Sequence, residues 1–387
     1  MTGLASERTA WSAEAQMLLL LARGELGEVE RQRARALLAA GLDWARLLRL
    51  ANAHEVDPLV CRSLQRLGAR GIPDEARDAL EATWRSTAAR NTLLARELAR
   101  VLHLLAGAGV PAIPLKGVAL AETLYGDPGL RTCSDIDVLV PRDRARQALG
   151  LLREQSYAPE FTERFFETLL LRTHIEYTLT RRERGFEYVV DLHWGIGWSP
   201  REDRRAAEAL WADSRRVTRR GVETHAMSPE WELLTLAVHA ARHGWRPLKW
   251  LVDVHDYCAG RALNWAKLRA VAERFGWLPA LRQTLGACQL LLGTPAPPEV
   301  TPVVPERWDP GLMVPSGGAS RGALVPLRVI GRSSERARYL LARLLVPTLA
   351  ERRLVRLPSS VGLLYYPLRP LRLAGKWGWR ALGTMKR

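Results

Sequence analysis

Cysteine is scarce in this 387-residue sequence, which has four cysteines and no pair at CxxC spacing. This scarcity argues against a disulfide framework and against a cysteine zinc site, and it is typical of a reducing cytoplasm. The sequence also lacks an apolar run of the roughly 18–20 residues that a bilayer-spanning helix needs. Its first residues include acids and no basic-then-apolar signal pattern, so we expect a cytoplasmic protein.

Lysine is scarce as well. Only five of the 57 basic residues are lysines, and Lys116 is the first of them. The net charge of +16 would by itself suggest a nucleic-acid partner. Residues 326–387, however, hold fourteen basic and two acidic residues, so this tail carries +12 and the first 325 residues carry only +4. A nearly neutral body disfavours a long phosphate-binding track, and we do not expect nucleic acid as a partner.

Hydrophobic periodicity and turn residues divide the chain into five segments. Residues 1–106 are predicted to be helical, because leucine and alanine recur at helical spacing. Residues 107–225 contain short β-branched runs and a hairpin pattern, with strands at 175–180 and 186–193 around a turn at 181–185. These patterns predict a small mixed sheet with helices. A helical pattern returns at 226–293, the proline- and glycine-rich stretch 294–325 predicts a linker, and 326–387 is the basic tail. The sequence therefore predicts an α+β fold in which helical segments flank a small sheet.

The strongest chemical signal is the tripeptide Asp135-Ile136-Asp137 on a predicted strand over 135–140. Alternate strand residues share a face, so both carboxylates point the same way. Their repulsion favours a bound divalent cation, Mg²⁺ first and Mn²⁺ second. Asp191, at the end of another predicted strand, is the candidate third ligand of a two-metal site for phosphoryl or nucleotidyl transfer. The alternative is an ordinary solvated D-x-D pair.

Two neighbouring stretches contain candidate nucleotide-binding residues. Lys116 and Gly117 lie between a predicted strand over 110–115 and a helix, where glycine permits close backbone approach and a helix start attracts phosphate. Arg131 and Ser134 precede the Asp135 strand and are candidates for contacting triphosphate oxygens. The alternative is a strand–helix turn with two exposed cations.

Histidines supply further candidates for substrate contact. His193 follows Asp191 by two residues, so it shares that face if the strand continues. His239 and His243 are four residues apart on one helix face, where they either contact nucleotide or acceptor or form a packed core pair. Asp253 and His255 on the next helical stretch are comparable candidates.

The basic tail mixes arginines, leucines and aromatic residues at 363–373 and 376–380. This composition predicts either peripheral contact with an anionic membrane or a helix that packs on the rest of the protein with solvated arginines.

The combination of motifs resembles the nucleotidyltransferase superfamily with a DNA polymerase β-type palm, and more closely an uncharacterised bacterial nucleotidyltransferase family. The matching stretches are LKG at 115–117, LYGDPGLRTCSDIDVLV at 124–140, VVDLHW at 189–194, SPEWELLTLAVHAARHGW at 228–245, LKWLVDVHD at 248–256 and YYPLRPLRL at 365–373. The resemblance implies a palm in which Asp135, Asp137 and Asp191 bind the metal. The superfamily's usual Gly-Ser pair is absent, and Lys116-Gly117 stands in its place.

The function that the resemblance implies is Mg²⁺-dependent transfer of a nucleoside monophosphate from an NTP, such as ATP, to an acceptor hydroxyl, with release of pyrophosphate. The expected acceptor is a small molecule, sugar or peptide intermediate of a biosynthetic pathway. Two alternatives remain: a non-catalytic nucleotide-binding or regulatory module, and a toxin-type transferase acting on RNA or protein. The retained carboxylates disfavour the first, and the nearly neutral body disfavours RNA.

Overall fold

A computed structural model describes residues 11–159, 161–198, 200–295, 297–304 and 325–384. Most of the predicted linker, 305–324, lies outside the described residues, as do the side chains of the predicted interfacial stretch 376–380. The five-segment division of the chain stays a prediction. The observed fold is mixed α+β with a small mixed sheet, as expected.

The N-terminal part is helical, as the leucine and alanine periodicity predicts. Local residue chemistry explains where its helices begin. The Ser12 hydroxyl and the Asp43 carboxylate each accept a backbone N–H at a helix start, and Asp74 and Glu75 lie in the first turn of the longest helix. The helices are α1 Ala13–Leu21, α2 Glu28–Ala40, α3 Trp44–Ala53, α4 Asp57–Arg66 and α5 Asp74–Gly107.

A five-stranded sheet forms the middle of the described chain, in the order β1-β2-β5-β4-β3. The central pair β2 and β5 is parallel, and the other neighbours are antiparallel. The strands are β1 Ile113–Pro114, β2 Ile136–Leu139, β3 Ala158–Pro159, β4 Glu176–Glu183 and β5 Phe186–His193. Three helices accompany them, α6 Lys116–Leu120, α7 Ala145–Glu154 and α8 Arg164–Thr173, and a π-helical turn at Ala121–Tyr125 extends α6.

The sequence predicted β1, β2, β4 and β5 but misjudged some of their lengths, and it did not predict β3 or α8. The first strand has two residues rather than six, and the strand expected from Asp135 begins at Ile136. The hairpin turn is shorter than predicted, because Glu183 pairs with Phe186 and only Arg184-Gly185 lies between them. Both turn residues have positive φ, 49° and 79°, as the tight two-residue turns of twisted hairpins require.

The remaining elements complete the fold. A second hairpin, which was not predicted individually, and its preceding helix follow the sheet. These elements are α9 Pro200–Ala212, β6 Arg215–Arg219 and β7 Val222–Ala226. The next helices are α10 Pro229–Arg242, α11 Lys249–Gly260, α12 Trp265–Arg274 and α13 Leu278–Leu292. The tail contains α14 Val325–Val329, α15 Ser333–Leu345, α16 Leu349–Leu354 and α17 Tyr365–Thr384.

Buried apolar side chains form two cores. One core joins the N-terminal helices to α10–α13 around Trp231 and Trp277. The other fills the sheet and takes in the C-terminal half of α5 and, from the tail, Tyr365. The tail is therefore packed against the sheet region through at least one of its residues. None of the described helices is long and apolar enough to cross a membrane.

Candidate active site

The parallel strands β2 and β5 place two carboxylates side by side. Asp137 is the register partner of Asp191, and Leu139 is the partner of His193. Since strand residues alternate faces, Asp137, Asp191 and His193 meet on one side of the sheet. One ligand atom from each of the three lies within 4.8 Å of the others, so the three together could hold a metal ion.

Asp137 is buried and has two cationic or polar partners. The Lys116 ammonium lies 2.6 Å from its Oδ2 atom, and Nε2 of His193 lies 2.9 Å from its Oδ1 atom. Burial alone would raise the pKa of Asp137, but Lys116 and His193 together hold it well below its usual range. Asp137 is therefore ionised at neutral pH, as a metal ligand must be.

Asp191 has a different electrostatic setting. The Thr178 hydroxyl donates a hydrogen bond of 2.5 Å to its Oδ1 atom. Burial raises the pKa of Asp191, and repulsion from Asp137 and Asp135 raises it further, against the lowering effect of Thr178. This carboxylate has no cation as close as Lys116 is to Asp137 among the described residues. The site consequently has uncompensated negative charge at Asp191.

Asp135 lies at the edge of this cluster rather than within it. It precedes β2, is half-exposed and lines the same cleft as Asp137 and Asp191. The three-residue cluster contains His193 in the place where the sequence suggested Asp135. The strand is shorter than predicted, so the alternation argument does not extend to its first carboxylate.

A second layer of contacts fixes His193, and these contacts were not predicted from the sequence. The Glu176 carboxylate lies 3.3 Å from Nδ1 of His193, and Arg242 lies 3.3 Å from the same Glu176 oxygen. Burial would raise the pKa of Glu176, but His193 and Arg242 lower it overall. The signal for Glu176 was its register opposite His193 on the hairpin, which requires knowing the length of the turn.

Lys116 and Gly117 lie where the sequence analysis expected a phosphate site. Gly117 has φ 57°, and a Cβ atom there would lie 3.5 Å from the Asp135 carbonyl oxygen and 3.9 Å from Oδ2 of Asp137. Both distances are ordinary van der Waals contacts, so the positive φ alone explains the glycine. The following helix α6 has five residues, and Gly117 within it is not helical, so the backbone here is a turn where the sequence predicted a helix start.

Arg131 differs from the sequence expectation. Its guanidinium forms a two-pronged ion pair with Asp253, at 3.0 and 2.9 Å, and both side chains are buried. It therefore binds the loop before β2 to α11 and is committed to a carboxylate rather than free for a triphosphate. Ser134 is exposed at the cleft, where Arg90 hydrogen-bonds to the Ser134 carbonyl at 3.2 Å.

The histidine pair lies on the opposite wall of the cleft, which has a volume of about 190 Å³. The rings of His239 and His243 are 4.6 Å apart, and both contact the ring of Trp250. Burial, with nearby cationic groups including Lys116, lowers the pKa of both histidines, so both are neutral at pH 7. His255, in contrast, contacts Thr294 at 2.8 Å and does not line this cleft.

Comparisons with known proteins identify the family of this chain. No curated protein matches the chain. Among solved structures, the chain is similar to an antigenic nucleotidyltransferase-like protein from Paracoccidioides brasiliensis, with 18% identity and a TM-score of 0.31 over 52% of this chain and 96% of that chain. Residues 40–293 match the model of a family described as uncharacterised nucleotidyltransferase. Since this match covers more than half of the chain, the protein belongs to that nucleotidyltransferase family.

Proposed function

We propose that this protein is a Mg²⁺-dependent nucleotidyltransferase that moves a nucleoside monophosphate from an NTP to an acceptor hydroxyl of a biosynthetic intermediate. The observation that carries the proposal is the pairing of Asp137 and Asp191 across two parallel strands in a cleft that also contains Lys116. Family membership supports nucleotidyl transfer in general. The four unpaired cysteine thiols are consistent with our further proposal of a cytoplasmic location.

The donor set fits a hard divalent cation. Asp137 and Asp191 supply carboxylate oxygens, and Asp135 supplies a third carboxylate at the edge of the cleft. Both nitrogens of His193 already face carboxylates, so we assign His193 to orienting Asp137. A bound Mg²⁺ pair would neutralise the triphosphate and lower the pKa of the attacking hydroxyl. If His193 were instead a direct ligand, Mn²⁺ would be favoured over Mg²⁺.

The reaction forms a bond between the acceptor oxygen and the α-phosphorus of the NTP and breaks the bond from that phosphorus to the bridging oxygen of pyrophosphate. Asp191 is the proposed acceptor of the hydroxyl proton, because its raised pKa suits a base better than that of Asp137. Lys116, Gly117 and Ser134 are the proposed contacts of the triphosphate. The neutral His239 and His243 line the cleft and are the proposed contacts of the base or the acceptor.

One observation favours a second function. The Lys116 ammonium pairs with Asp137 at 2.6 Å, as it would in a nucleotide-binding module that performs no chemistry. Titration with Mn²⁺ alone separates the two proposals. An enzyme binds Mn²⁺ through Asp137 and Asp191, and a non-catalytic module does not.

The proposed transfer is tested by incubating the protein with α-labelled NTPs, Mg²⁺ and a metabolite extract. We expect label to enter a metabolite product, with loss of transfer in Asp137→Asn and Asp191→Asn. Asp143→Asn is the matched control, because Asp143 is an exposed acid on the short helix that follows β2. Transfer that is unchanged in Asp137→Asn, or an absence of any NTP binding, would refute the proposal.

A further inference from the structure

Exposed apolar side chains are concentrated in the tail. Among the described residues, thirteen large hydrophobic side chains are exposed, and eleven of these belong to residues 340–371. The eleven are Leu340, Leu341, Leu344, Leu345, Leu354, Val355, Val361, Leu363, Leu364, Tyr366 and Leu371. A surface this apolar is typical of a region that contacts another molecule or a membrane.

The tail surface also has charge of only one sign. Its two acids, Glu335 and Glu351, are 2% and 1% exposed, and both are neutralised by arginines of the tail itself. In the described side chains of 327–375, every exposed charge is therefore positive. The exposed arginines are Arg328, Arg332, Arg336, Arg338, Arg343, Arg353 and Arg356.

In helix α15, exposed leucines and exposed arginines are arranged as in an amphipathic helix at a membrane interface. Leu340 and Leu344 are four residues apart, as are Leu341 and Leu345, so the four leucines form one exposed face. By the same helical spacing, Arg336 and Arg343 lie along one edge of that face, and Arg338 lies along the other. Leucines flanked by arginines can enter the headgroup region while the guanidinium groups meet lipid phosphates.

The tail packs against the rest of the protein, so its exposed surface belongs to the folded structure. The Tyr365 ring packs on Phe166 at 4.9 Å and on Phe165 at 5.9 Å, and Arg352 lies 2.7 Å from Glu163. These contacts lie on the inner side of the tail. They also correct one detail of the sequence hypothesis, since Tyr365 and Arg369 within 363–373 are buried and do not face outward.

We propose that this surface of residues 327–375 is a peripheral docking site for an anionic lipid bilayer. Charge complementarity selects this partner. A second copy of the same surface would bring arginines against arginines. Single-stranded nucleic acid would require stacking aromatics, and Tyr366 is the one exposed large aromatic side chain among the described residues.

The bilayer proposal does not depend on the chemistry proposed for the cleft that contains Asp137 and Asp191, because it rests on the exposed tail surface alone.

Flotation of the full-length protein with vesicles tests the proposal. We expect binding to vesicles that contain phosphatidylglycerol and much weaker binding to phosphatidylcholine alone. Combining Arg343→Gln with Arg356→Gln should weaken binding about 25-fold at low salt, since each basic residue near the surface contributes about fivefold. The control combines Arg49→Gln with Arg70→Gln, which removes the same charge from exposed positions of the N-terminal region.

A second pair of variants tests the apolar part. Leu341→Ser with Leu345→Ser should weaken vesicle binding at least about tenfold, and Val29→Ser, at an exposed valine of α2, should not. All positions are exposed, so unchanged thermal melting of each variant confirms an intact fold. Equal flotation of parent and tail variants, or binding that ignores lipid charge, overturns the proposal. So does a leucine variant that changes only the oligomeric state, which would identify a second copy as the occupant.

Discussion

The Lys116 ammonium lies 2.6 Å from the Asp137 carboxylate, and the two side chains are 16% and 1% exposed. Lys116 therefore takes the position of a counter-ion at the carboxylate that would also bind a metal. Burial lowers the pKa of Lys116, but Asp137 and Asp135 raise it overall, so the ammonium remains charged throughout the physiological range.

Removing this counter-ion should have opposite effects on metal and nucleotide. In Lys116→Met, we expect Mn²⁺ to bind more tightly to the free protein, because Asp137 no longer has a competing cation. ATP affinity should fall about 10- to 100-fold, the value of one charge-assisted hydrogen bond. Calorimetric titration measures both. Lys267→Met is the control, since Lys267 pairs with Asp213 and Glu230 and does not line the cleft. Weaker Mn²⁺ binding in Lys116→Met would contradict this role.

The Thr178 hydroxyl should lower the pKa of Asp191. In Thr178→Val, loss of the hydrogen bond raises the pKa of Asp191 further, because that bond stabilises the ionised form. The carboxylate then protonates at a higher pH, and Mn²⁺ affinity should decline earlier as the pH falls. Paramagnetic resonance of free Mn²⁺ across pH 5 to about 8 measures this shift. Thr180→Val, two residues along the same strand, should leave the profile unchanged.

The Arg131–Asp253 pair should contribute to stability rather than to nucleotide binding. Arg131→Met leaves Asp253 buried without its cation, and we expect the free energy of unfolding to fall by about 3–5 kcal/mol. Replacing both partners, as in Arg131→Met with Asp253→Leu, should recover much of that loss. Urea denaturation measures all three proteins. A single variant with normal stability and weakened ATP binding would instead restore the triphosphate role.

Glu351 should make tail stability depend on pH. Burial would raise its pKa, but Arg372, Thr348 and Arg369 lower it from 4.5 to about 2. A lowered folded-state pKa stabilises the fold above pH 4.5, and the stabilisation is lost as the pH falls towards 2. At pH 7, the free energy of unfolding of the wild type should therefore be up to about 3 kcal/mol higher than that of Glu351→Gln.

By pH 3, that difference in the free energy of unfolding should shrink by more than half. Denaturant unfolding of the wild type and the variant at the two pH values measures it. Glu75→Gln, at an exposed acid in the first turn of α5, is the control and should show no comparable pH dependence. If the free energies of unfolding of wild type and Glu351→Gln differed equally at both pH values, Glu351 would act through its shape rather than its charge.

Strand alternation was a sound guide to the centre of the site. It correctly indicated that His193 follows Asp191 on one face, and that two carboxylates from separate strands meet. It placed Asp135 within the strand, whereas β2 begins at Ile136, because the extent of a four-residue strand cannot be read from one β-branched run. It could not find Glu176, because the partner of His193 depends on a hairpin turn of two residues rather than five.

The class of the protein could be predicted from the sequence alone, because it rests on local properties. These are the motifs, the charge division between body and tail, and the residue types of a candidate metal site. Which cationic side chains contact the carboxylates of the site became clear only from the tertiary structure. Lys116 reaches Asp137 across 21 residues, whereas Arg131 pairs with Asp253 across 122. The physical reason is that the fate of a buried charge depends on the nearest opposite charge in space, and chain folding sets that distance.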